Sequence, residues 1–60
     1  MTNLTQVEVN FIRESVACHQ TTSAKLSNYA NQVQDTQIKK MFETAADEAR
    51  KSAQTLISLL

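Results

Sequence analysis

The residues best equipped for chemistry in this sequence are Cys18 and His19, its single cysteine and single histidine, side by side. A thiolate activated by an imidazole would be a nucleophile for acyl transfer. Adjacent residues on a helix point ~100° apart, so the two would not face each other. Such an enzyme also needs preorganised donors for an oxyanion, and a short chain has little material for that pocket. Cys18 therefore reads as a small apolar residue on the flank of a packed face. His19 lies near the centre of that face. It reads as a half-buried side chain bonded to Ser52, Glu48 or a water. The sharper alternative is a ligand or pH-sensitive contact where two copies meet.

The acids do not build a metal centre. A di-iron site in a helical bundle uses inward carboxylates together with Glu-x-x-His pairs on facing helices, and no Glu-x-x-His occurs. Glu14 and Glu43 project away from the apolar seam, Glu48 lies on its flank, and Glu8 points inward but is engaged at a helix start. One cysteine allows no intrachain disulfide, and one histidine no Cys/His zinc cluster. No catalytic, cofactor or metal site is expected. Lys39-Lys40 is the only basic run and reads as a solvated face. Six basic and six acidic residues balance, so there is no electrostatic case for nucleic acid or anionic lipid. No stretch approaches the ~20 apolar residues of a membrane span. The segment Met1-Thr2-Asn3-Leu4-Thr5 lacks the basic and apolar parts of a secretion signal. A cytoplasmic setting is expected, and a free thiol fits it.

The elements that would carry these residues are helices. Glycine and proline are both absent, whereas β-rich folds need them at turns. Thr5-Gln6-Val7-Glu8 has the spacing of a capping box, with Leu4 placed to pack back on Val9. Val9, Ile12, Val16, His19, Ser23, Leu26, Ala30 and Val33 then step by three and four, the pattern of a seam facing another helix. A second row, Phe11, Ser15, Cys18, Thr22, Lys25 and Tyr29, widens the face. Ile38, Phe42, Ala45, Ala49, Ser52, Leu56 and Leu59 form the later seam, widened by Ala46, Ala53 and Leu60, with Met41 on the other flank. Asp47 and Lys51 make an acid-first pair one turn apart.

The step from Val33 to Ile38 is five residues, so the apolar face jumps by ~100°. The jump falls at Gln34-Asp35-Thr36, where Asp35 is a good N-cap. The spacing predicts one domain over 1–60: a helix over about 6–34, a turn over about 34–36, and a helix over about 36–59. A continuous helix is the alternative, because the junction has no glycine. Folding at Asp35 brings His19 opposite Ala49 to Ala53, where small residues allow close approach. The fold class is all-α, an antiparallel two-helix hairpin. Helices of ~29 and ~25 residues would run ~43 and ~37 Å and leave much of each wide face wet. Two hairpins would cover those faces as a homodimeric four-helix bundle. The candidate oligomer-interface residues are Val9, Ile12, Val16, His19, Leu26, Phe42, Ala49 and Leu56.

The phrase Leu4-Thr-Gln-Val-Glu-Val-Asn-Phe-Ile-Arg-Glu-Ser, with His19-Gln, Lys25-Leu26, Tyr29-Ala30, Asp35, Ile38-Lys-Lys-Met-Phe and Leu56-Ile-Ser-Leu-Leu, resembles the short coat F-like proteins of spore-forming Firmicutes. The resemblance spans nearly the whole chain. It implies a ferritin-like bundle, a non-enzymatic structural role in sporulating cells, and a place in the mother-cell cytoplasm and spore coat among other coat proteins. Longer relatives carry an acidic-His pair late in the second helix. Glu48-Ala49 stands at the matching place here, without the histidine. The leading expectation is a structural or assembly protein of the coat. The alternatives are a small helical adaptor or regulator docking on another helical protein, and a vestigial metal-binding ferritin relative.

Overall fold

A computed structural model describes residues 3–60, so the Met1-Thr2 start of the segment read for a secretion signal lies outside the described residues. Two helices, α1 (Gln6–Gln32) and α2 (Thr36–Ile57), pack against each other, with no strand among the described residues. Neither helix is long and apolar enough to cross a membrane.

Both helix starts follow from local chemistry. The Glu8 amide donates to Thr5 Oγ1 at 3.1 Å, and the Thr5 amide donates to Glu8 Oε1 at 2.9 Å. Each satisfies a donor that the first turn of a helix leaves without a partner. At α2, Asp35 Oδ1 accepts from the amides of Gln37 at 2.9 Å and Ile38 at 3.0 Å. Helix α1 ends at Gln32, two residues short of the expected limit. Val33 turns extended (φ −82°, ψ 146°) while its N–H still reaches the Tyr29 carbonyl. Asp35 is extended too. The chain thus reverses without a positive φ among the described residues, and so without the glycine that a left-handed helix end would favour. Helix α2 stops at Ile57 rather than about 59. The Leu59 and Leu60 amides bond only three residues back, to Leu56 and Ile57, which is how a helix end tightens.

The hairpin is a thin slab. Its Cα extents are 47 × 16 × 9 Å and its radius of gyration is 14.2 Å, against the ~10 Å of a compact chain of this length. Among the described residues only Ala30 (2% exposed), Ala46 (5%) and Ala53 (2%) are buried, all three between the helices. Ser23 Oγ donates to the Ala46 carbonyl at 2.9 Å. A hydroxyl reaches the opposite backbone only where the helices lie close, and the alanines permit that.

The seams need one correction. Along α1, Val9, Ile12, Val16, His19, Ser23, Leu26, Ala30 and Val33 are all half-buried or buried. Along α2 the covered row is Lys39, Phe42, Ala46, Ala49, Ala53 and Leu56, whereas Ile38, Ala45, Ser52 and Leu59 are exposed. Helix α2 is rotated so that its narrow alanine row meets α1, and the bulkier Ile38 and Leu59 stay outside. Residues taken to widen the seam are its centre.

Candidate functional site

The two helices leave two long grooves, one on each broad side of the slab. Ser23, Ser27, Glu43, Ala46, Asp47 and Arg50 line a hollow of about 270 Å³ on one side. Leu26, Ile38, Met41, Phe42 and Ala45 line one of about 300 Å³ on the other. The second hollow is wholly apolar side chain, and its neighbours extend it. Tyr29 packs edge-on against Phe42, with ring centroids 5.8 Å apart. Helical periodicity puts Phe11 and Leu59 on the same broad side. Phe11 is 62% exposed and Met41 70%, the largest exposures among these side chains.

On the polar side α2 carries ion pairs within its own surface. Asp47 bonds to Arg50 and lies 3.3 Å from Lys51 Nζ. The Arg50 bond, then the Lys51 bond, holds the Asp47 carboxyl below its ordinary range. Glu8 is likewise held low, first by the Thr5 amide and then by the Thr5 hydroxyl.

The candidate interface residues lie nearer the hairpin's own seam. Val9, Ile12, Val16, His19 and Leu26 on α1 and Phe42, Ala49 and Leu56 on α2 are all half-buried. Of these, Leu26 and Phe42 also open into the apolar hollow. The most exposed large apolar side chains are others: Met41, Phe11, Val7 and Leu60. Phe11, Met41 and Leu60 were readable as flanks of the apolar pattern, whereas Val7 belonged to neither seam nor flank.

Two side chains take roles other than those expected. His19 Nδ1 lies 2.7 Å from the Ser15 carbonyl of its own helix, not against Ser52 or Glu48. That contact requires the proton on Nδ1. The Ser23–Ala46 bond, one turn further along, sets His19 level with the Ala49–Arg50 stretch. Lys39 is not part of a solvated face. It is half-buried, and its Nζ donates to the Ala30 carbonyl at 2.8 Å. This ammonium caps the carbonyl end of α1, which has no basic residue in its own last turn, where a cation is favoured. That shortage was the sequence signal for it. Cys18 is exposed.

No three His, Cys, Asp or Glu side chains converge as a metal site among the described residues. What the geometry does show is a large surface for the mass of the chain. A compact chain of this mass exposes roughly 3900 Å² by the size scaling of globular proteins, whereas this one exposes 4700 Å². The excess, several hundred Å², is of the order that one partner contributes to a standard protein interface. Comparison with protein-family models, characterised proteins and solved structures found no match to this chain.

Proposed function

We propose that this hairpin is a non-enzymatic assembly module that works as a homodimer, two copies closing their apolar broad sides into a four-helix bundle. The observation that carries the reading is the one-sided exposure of Phe11, Met41, Ile38 and Tyr29 on a slab whose own core is three alanine methyl groups. A buried methyl contributes only ~0.8 kcal/mol, so the larger apolar side chains have most of their stabilisation still to gain. A second copy supplies the matching surface with no further component, and zero net charge opposes such pairing little.

The resemblance to the short coat F-like proteins gives this assembly its setting, the spore coat, with other coat proteins as neighbours. Sedimentation equilibrium tests the first part: the expected mass is twice the 6.7 kDa of the chain. A tagged copy followed through sporulation tests the second, with retention in purified coats expected. A monomer that captures a different helical protein from growing cells would replace this reading with that of an adaptor.

A further inference from the structure

We propose that the two copies pack with their connectors at the same end, α1 of each lying on α2 of the other, and that Lys25 and Glu48 select this arrangement. The inference rests on the dimer reading above and deepens it. On the apolar side, α1 presents the row Phe11, Ser15, Cys18, Thr22, Lys25 and Tyr29, and α2 the row Ile38, Met41, Ala45, Glu48, Ser52 and Leu59. Each row contains one charged residue, and the two charges are opposite. Both residues are exposed. Glu48 borders a hollow beside Met41 and Ala45, and Lys25 stands one turn before the Tyr29 ring that meets Phe42.

The register follows from two bonds within the hairpin, Ser23 to Ala46 and Lys39 to Ala30. Position 25 is therefore level with about position 44. With connectors at the same end, a two-fold axis runs along the slab and keeps those levels. Lys25 then lies one turn, ~6 Å, from Glu48 of the second copy. Helical Cα–Cβ bonds tilt toward the N-terminus, so in this antiparallel pair the two side chains lean toward each other. The axis makes the contact twice. Every neighbouring pair of helices is antiparallel, which also opposes their dipoles. With connectors at opposite ends, α1 would face α1 and α2 would face α2. Lys25 would then come level with Glu14 of the other copy, which is exposed and stands outside the apolar row, and Glu48 would fall within one turn of its own symmetry mate. Like charges at that spacing are unfavourable.

Sedimentation of full-length charge variants tests the arrangement. Lys25→Glu and Glu48→Lys alone should each weaken self-association about tenfold, the scale of two partly exposed pairs turned repulsive. Mixed in equal amounts they should recover wild-type affinity as a heterodimer, since both contacts are then attractive. Glu14→Lys should change nothing. Gln34→Cys, in a Cys18→Ser background, should form disulfide-linked dimers on mild oxidation, because the connectors adjoin. A dimer in which mixing gives no recovery, or in which Glu14→Lys weakens association and Glu48→Lys strengthens it, overturns the arrangement alone. A folded wild-type chain that sediments as a monomer overturns the dimer itself.

Discussion

The two broad sides of the hairpin solve the same problem differently. On one, Glu43, Asp47 and Arg50 border the groove, and Asp47 is paired with Arg50 and Lys51. On the other, Leu26, Ile38, Met41, Phe42 and Ala45 border it with no polar surface. Both sides share one alanine seam. The polar side is finished as a surface, because its charged heads lie in water and Asp47, Arg50 and Lys51 pair within one turn. The apolar side has no such pairs in its lining, and Met41 and Phe11 meet water directly. A thin slab has no interior large enough for its bulky residues, so they stay exposed, most of them on the apolar side and Ile57 on the other.

The largest test of that contrast puts a charge on each side. Met41→Lys should weaken self-association by ~2 kcal/mol or more, the scale of a buried interface anchor. Glu43→Gln, bordering the polar groove, should leave it unchanged. Equal effects in sedimentation would erase the distinction between the sides.

The shared seam gives the next effect. Ala53→Leu should lower stability by roughly 1–3 kcal/mol through overpacking, read by thermal melting. Ala45→Leu, on the open apolar side, should be nearly neutral for the isolated hairpin. The reverse order would restore the rotation of α2 expected from its spacing.

The caps come next. Thr5→Ala should cost ~1 kcal/mol. Lys39→Met keeps the aliphatic stem but loses the bond to Ala30, and should cost ~0.5 kcal/mol or slightly more. Lys40→Met should cost almost nothing. An equal cost for the two lysines would mean that Lys39 is an ordinary surface residue.

The smallest effect is that of pH. Glu8 and Asp47 have folded pKa values below their unfolded ones. Their stabilisation is therefore fully present above the unfolded values and is lost as pH falls through the folded ones. Melting temperature should decline through the acid range, and Glu8→Gln should flatten part of the decline. A profile unchanged by that substitution would remove the capping carboxylate from the pH dependence.

Much of this was legible in the residues. Thr5 and Glu8, or Asp35 and Ile38, are three apart and need only their own turn of helix to bond. The α1 seam was equally readable, because its large apolar residues have one row to occupy. The α2 seam was readable only in part, at Phe42, Ala49 and Leu56. Its apolar residues fill a sector wider than one helix can cover, and periodicity gives the centre of that sector rather than the part α1 takes. The apolar side was therefore visible only as an excess of seam residues, without a division between those the hairpin covers and those it leaves out.

The sequence by itself determined helical structure and its capped starts, and pointed to a reversal near Asp35 over a continuous helix, since each depends on interactions between near neighbours. Only the tertiary structure decided that α2 turns its alanines inward, that Lys39 crosses the connector to the Ala30 carbonyl, and that Ile38 and Met41 remain outside. Those outcomes depend on how closely two backbones can approach across 23 positions of chain, as at Ser23 and Ala46. Side-chain volume on both helices sets that distance jointly, and no stretch of either helix contains it alone.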